Sequence, residues 1–217
     1  MTPIMRYHPA HKDATRRRIL DAAGRTFRER GVSESGVDEV MSRAGLTHGG
    51  FYAHFEGKED LIASACSAAF EAAIPNLDRI AAASTRTARV RLLVESYLAV
   101  RHRDNRGTGC FVVAVGADMV RLQGAARAGY ARAFAEHLDR LGAALRLSRD
   151  PQKNREQVTL LMSSLVGALL LARAIEDPER SAAILCAMRR QVRAQFCPSE
   201  PDRARSLEPA HDFIRAF

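Results

Sequence analysis

Ala44-Gly45-Leu46-Thr47-His48-Gly49-Gly50-Phe51-Tyr52-Ala53-His54-Phe55, closed by Lys58, reads as a tight turn followed by one short helix. Gly45 can take the positive φ that ends one helix and turns the chain. Thr47 is a good N-cap for the next. That helix carries Gly, Gly, Tyr and His where a stabilising surface helix would carry Ala, Glu or Lys. Each glycine costs it roughly 1 kcal/mol relative to alanine. A helix so weak needs another reason for its composition. Close approach to another molecule's surface is one, and in a helix-turn-helix that surface is usually the DNA backbone.

Outward from this stretch, helical periodicity dominates and nothing reads as a ladder of strands. A first helix is expected over 13–30, with Ile19, Leu20, Ala23 and Phe27 on one face and Gly31 as its stop. Ser35 and Asp38 resemble a capping box opening a second helix, 37–43, whose Val37, Val40 and Met41 can face Phe27 and Leu46 in a small three-helix core. A longer helix is expected over 58–82, kinked or interrupted at Pro75. Further helices are expected over 85–103, 110–117 (short and buried), 118–147, and from Pro151 to about 176. Asp177-Pro178 is an N-cap followed by proline at the first helical position, and starts a last long helix ending near Phe196. The fold class expected is all-α. The tail, 197–217, is rich in proline and charge and reads as disordered or as anchored by Phe213, Ile214 and Phe217.

The 217 residues allow one domain or two small ones, and 47% hydrophobic residues supply a core. The net charge of +8 favours an anionic partner such as nucleic acid, although an arginine-rich protein without one would share it. Cys66, Cys110, Cys186 and Cys197 form no C-x-x-C and no Cys/His cluster, so neither a zinc site nor a disulfide framework is indicated. No metal or cofactor is called for. The first eleven residues have no signal-peptide core. The longest apolar run, 158–172, is short for a membrane span and is broken by Thr159, Ser163 and Ser164. A soluble, cytoplasmic protein with reduced thiols and no membrane partner is the expectation.

The quoted stretch resembles the TetR family of transcriptional repressors. The resemblance lies in Ala44-Gly45, Thr47, Gly49, Tyr52, His54-Phe55 and Lys58 standing at the family's spacing without a gap. It covers roughly the first quarter of the chain; the rest agrees in architecture, and Gly109-Cys110-Phe111 is similar to a Gly-Cys helix start found in one branch. Gly36 stands where many members carry Ser or Thr, so Ser35 as a phosphate contact shifts by one residue. The resemblance implies a helix-turn-helix DNA-binding domain with a basic arm over 1–57, a helical ligand-binding and dimerisation domain over 58–196, and a tail over 197–217. It also implies that Tyr52, His54 and Lys58 face the DNA backbone, and that a small-molecule inducer releases the protein by shifting the helix after Lys58.

Thr47 and the backbone N–H groups at the start of the recognition helix can bond a phosphate. His48, Gly49 and Gly50 would enter the major groove, where His48 alone of the three has a side chain able to donate a hydrogen bond and the glycines leave room for a thymine methyl. Arg43 is an added candidate. Phe51 and Phe55 read as core; Tyr52 reads as core or contact. Arg16 and Arg17, with Arg18 and an arm holding Arg6, His8, His11 and Lys12, form either a solvated face or a reach toward a neighbouring phosphate.

One recognition helix reads only a few base pairs, so a homodimer on a palindromic operator is expected. The apolar run of the penultimate helix covers too wide an arc for one buried side. Leu161, Ser163, Leu165, Gly167 and Leu169, with Ile184 and Met188 of the last helix, are the expected dimer interface. An intrachain core is the alternative. The middle helices would enclose a pocket for the inducer, with candidates Ile62, Cys66, Phe70, Tyr97, Cys110, Phe111, Met119, Phe134 and Met162. These could equally be plain core. A thiol response at Cys66 or Cys110 is a further alternative.

An enzyme is the main rival, but the chain has no P-loop, no G-x-G-x-x-G after a strand, no H-E-x-x-H and no G-x-S-x-G. Its one Glu-x-x-His, Glu208 to His211, lies in the tail, whereas a di-iron bundle needs two. A helical adaptor for other proteins would leave the recognition-helix pattern unexplained.

Overall fold

The computed structural model describes residues 9–197, and every element among them is helical. The N-terminal unit holds α1 (Pro9–Arg30), α2 (Val37–Arg43) and a 3-10 helix (His48–Ala53). Then follow α3 (Lys58–Glu71), α4 (Ile74–Ala81), α5 (Arg86–Tyr97), α6 (Val100–Asp104), α7 (Phe111–Arg121), α8 (Gly124–Leu145), α9 (Pro151–Ala174) and α10 (Pro178–Phe196). The arm residues Arg6 and His8, and all of 198–217, lie outside the described residues.

The turns follow their residues. Gly45, at φ 69°, carries the chain from α2 into the recognition segment. Arg18 donates to the Ala44 carbonyl at 2.5 Å, satisfying an acceptor that the end of α2 leaves open. Asp150 and Asp177 accept from the first N–H groups of α9 and α10, each with proline in the opening turn.

Several boundaries differ from the expected ones. Ser35 does not cap α2: the N-cap is Gly36 with no side-chain bond, and the Ser35 hydroxyl donates to Gly31 O at 2.5 Å. Thr47 occupies the N-cap of the recognition segment but makes no side-chain capping bond there. The segment itself is a 3-10 helix and not an α-helix, with Gly50 N–H bonding Thr47 O at 3.1 Å and His54 N–H bonding Phe51 O at 2.9 Å. Two adjacent glycines favour no regular helix strongly, and the buried Phe51 and Phe55 fix its path instead. The expected helix over 58–82 divides at Ala72–Ala73, with Pro75 in the opening turn of α4. The one over 85–103 breaks after Tyr97. Asp118, expected in the long eighth helix, belongs to α7, and extended Leu122 and Gln123 separate the two.

Two apolar clusters hold the molecule. One joins α4, α5, α8, α9 and α10 around Leu93, Tyr97, Leu161, Leu165 and Leu185. The other starts from Phe27, Val40, Phe51 and Phe55 and runs on through Leu61, Ile62, Cys66 and Phe70 to Val115 and Met119. The N-terminal core therefore does not stop at residue 58; α3 belongs to it. Helix α3 lies closely against α8, where a Cβ on Gly129 would stand 2.6 Å from Ala63 Cβ.

Candidate nucleic-acid interface

Phe51 and Phe55 stack with centroids 5.5 Å apart and are 1% and 2% exposed, anchoring the recognition segment from below. That anchoring turns Thr47, His48, Gly49, Tyr52 and Lys58 outward, all exposed, with Gly50 half-buried. Tyr52 is 68% exposed, which decides between core and contact for a ring that makes only edge contacts, with Phe51 and His48. A Cβ on Gly49 would meet nothing within 4 Å, so the fold itself does not require glycine there. His48 Nδ1 is hydrogen-bonded to the carboxylate of Asp38 on α2.

Basic residues border this surface. Arg16 lies over the Phe55 ring at 4.8 Å and donates to Ser64 Oγ at 2.9 Å, so it braces α1 against α3. Arg17 is exposed; Arg43 is exposed and paired with Glu29 at 2.6 Å. His54 is half-buried, and burial, then Lys12 and Arg16, hold its pKa below the usual value. The cations that disfavour its protonation are the ones that would attract a phosphate. Ser35 departs from expectation: at 1% exposure it cannot reach DNA, because its hydroxyl is spent on the turn after α1.

Two bonds tie this unit to α7 and to the loop that leads into it. Asp118 accepts from Val32 N–H at 2.7 Å, and Arg28 donates to Gly109 O at 2.8 Å while lying over the Phe111 ring at 5.1 Å. Burial pulls the Arg28 pKa down to about 10, which still leaves it charged at neutral pH.

Behind them lies a cavity of about 20 Å³, room for about one water. Phe70, Tyr97, Cys110, Phe111 and Met162 line it, together with Leu93, His137 and Leu141, which sequence reasoning missed. His137 and Phe70 also line an outer cleft of about 70 Å³ that carries Arg132, Glu136 and Arg140. Ile62, Cys66 and Met119 do not reach the cavity; they are buried in the cluster shared with α1. Phe134 stacks on Tyr130 beside the same cluster. Helical spacing places all four on inward faces, but which core they enter depends on the packing of α3 against α8. Burial pushes the Cys66 thiol up to about 12 and also raises Cys110, so neither carries the thiolate that reactivity needs.

The penultimate helix, α9, is long and apolar enough to cross a membrane by length and composition, but it packs against α7, α8 and α10. Leu161, Leu165 and Leu169 are each 0% exposed inside the chain's own core, so they are not an interface. The face turned away from that core carries Leu160, Ser163, Gly167, Leu170 and Leu171, with the leucines 47%, 51% and 58% exposed. Ile184 and Met188 of α10 are half-buried. The apolar arc is wide, as its sequence showed, but it divides into an inner and an outer stripe about half a turn apart.

Residues 19–65 match the family described as bacterial regulatory proteins, tetR family, and residues 87–188 match a tetracyclin repressor-like C-terminal domain. The HTH-type transcriptional repressor Rv1474c of Mycobacterium tuberculosis is 30% identical over 84% of this chain and 95% of its own length. The HTH-type transcriptional repressor BepR of Brucella suis is 45% identical over 28% of this chain and 29% of its own. The first curated relatives, BepR among them, are thus matched over about a quarter of their length. A crystal structure of a TetR transcriptional regulator from Legionella pneumophila superposes with a TM-score of 0.70 at 17% identity, covering 89% of this chain and all of that one.

Proposed function

The chain belongs to the TetR family of bacterial regulatory proteins, a family of transcriptional regulators and not of enzymes, and from that premise we propose a ligand-responsive repressor that binds a palindromic operator as a dimer. The observation that carries this reading is the recognition segment. Phe51 and Phe55 point into the core, while Thr47, His48, Gly49, Tyr52 and Lys58 form one exposed face that the protein's own packing leaves unused. Thr47, Tyr52, His54 and Lys58 take the backbone; His48, Gly49 and Gly50 approach the base edges. Arg17 and Arg43 add charge at the border, and Arg16 positions α1. Functionally, residues 1–57 bind DNA and 58–196 sense and dimerise, although the core runs across that boundary.

A second copy of the chain covers the outer stripe of α9 and the adjoining face of α10, where Ser163 and Gly167 let helices approach closely. The inducer widens the cavity, which at about 20 Å³ is far below what a small molecule needs. Phe70 and His137 separate cavity from cleft, so they are the side chains to move. Movement there reaches α1 through Arg28 and Asp118, and α3 directly. The inducer must bind the DNA-incompetent arrangement better.

The test is selection of bound sequences from a random duplex pool, then titration of the winner at two salt concentrations. A palindromic motif with steep salt dependence is expected. Tyr52→Ala and Lys58→Ala should fold and lose most of the affinity. Binding without a motif would sink the reading.

A further inference from the structure

We propose that Asp38 decides which base His48 reads, by fixing the imidazole so that it accepts a hydrogen bond from an amino-bearing base. The inference rests on the DNA-binding reading above. His48 opens the recognition segment with its side chain 50% exposed, and Asp38, in the first turn of α2, is 83% exposed. The two would not be held together by burial. They meet through one bond, His48 Nδ1 to Asp38 Oδ1. An ionised carboxylate only accepts, so Nδ1 carries the proton, and in the neutral imidazole Nε2 is then the ring's outward lone pair. The Tyr52 ring stands edge-on to the imidazole at 6.0 Å and 63°.

The ring is therefore oriented before any DNA arrives. The next two residues, Gly49 and Gly50, have no side chains. Of His48, Gly49 and Gly50, only His48 has a side chain that can hydrogen-bond a base edge. In the major groove an acceptor is met by adenine N6 or cytosine N4. Asp38 is a positioning residue here, and its place in the first turn of α2 suits its charge to the helix dipole.

Sequence selection with the full-length protein, its D38A, D38N and H48A variants, and a duplex lacking one amino group would test this. D38A and H48A should lose the preference at the same half-site position, roughly tenfold each, and keep the rest of the motif. D38N keeps an acceptor oxygen and should retain it. Replacing the preferred adenine by purine, or cytosine by 2-pyrimidinone, should weaken wild-type binding roughly tenfold and leave H48A unaffected. Thermal unfolding of D38A should stay cooperative with at most a small drop in midpoint, since the side chain is exposed and contributes only its charge at the start of α2. The proposal falls if D38A keeps the wild-type motif, if it loses a different position, or if the amino-deleted duplex binds the wild type as tightly. If the wild type selects no motif at all, the DNA-binding reading fails and takes this inference with it.

Discussion

His54 shows how a single residue can report on the surface around it. Its Nδ1 is buried without a hydrogen-bond partner among the described residues, and burial with Lys12 and Arg16 nearby keeps its pKa low. A phosphate at this surface would reverse the sign of the local field. The expected outcome is a His54 pKa that rises when operator DNA is added, followed by NMR titration of the imidazole; an unchanged value would remove His54 from the interface. Two other histidines bear on stability. Burial lowers His102 and His137 to about 4 each, and neighbouring arginines add to it, although a bond to the Tyr97 carbonyl opposes the shift at His102. His102 donates from Nδ1 to Tyr97 O, and its Nε2 accepts from Cys110 N–H at 2.9 Å, a bond that only the neutral ring can make. Unfolded, both would titrate near 6.5. Between about pH 6.5 and 4 the unfolded chain binds more protons than the folded one. Their contribution is therefore fully present above pH 6.5 and is lost as pH falls toward about 4. Urea unfolding at pH 7.5 and pH 5 should show the drop, and His137→Phe should flatten it.

The recognition segment is where local stability and use pull in opposite directions. Gly49 has no positive φ, and a Cβ there would meet open space. Gly49→Ala should stabilise the fold by up to about 1 kcal/mol. It should also weaken operator binding, because the added methyl stands where the groove must come close. Thermal unfolding and DNA titration of the same variant check both halves; a variant that binds as well as the wild type would mean that the glycine does not face DNA. Further along, α3 couples the two ends of the molecule as one element. Its first turns belong to the core of the N-terminal unit, and its Ala69 and Phe70 line the cavity. In the proposed mechanism, rigid-body movement of α3 would connect an inducer in the cavity to the recognition surface.

At the scale of the whole molecule, the proposed dimer gives the inner stripe of α9 to folding and the outer stripe to assembly. Leu165 is 0% exposed within the chain's core, and Leu165→Ala should cost about 2–5 kcal/mol of stability. Leu170 is 51% exposed, and Leu170→Asp should leave the monomer folded. It should shift sedimentation from dimer to monomer and reduce operator affinity by the loss of one half-site. If Leu170→Asp remained dimeric, the outer stripe would not be the interface.

The chain's fold class, the turn at Gly45, the helix start at Pro151 and the cap at Asp177 were legible in the sequence, because each depends on residues within a few positions of one another. The resemblance of 44–58 to the TetR family was legible for the same reason: the recognition pattern is contiguous. The tertiary structure decided what depends on distant residues. Ser35 looked like a cap until the turn after α1 claimed its hydroxyl. Leu161, Leu165 and Leu169 looked like an interface until α7, α8 and α10 covered them. Cys66 and Phe70 share a helix, yet only Phe70 faces the cavity. Helical periodicity states that a residue points inward; it does not say toward which neighbour, and that is settled only when helices from opposite ends of the chain compete for the same apolar faces.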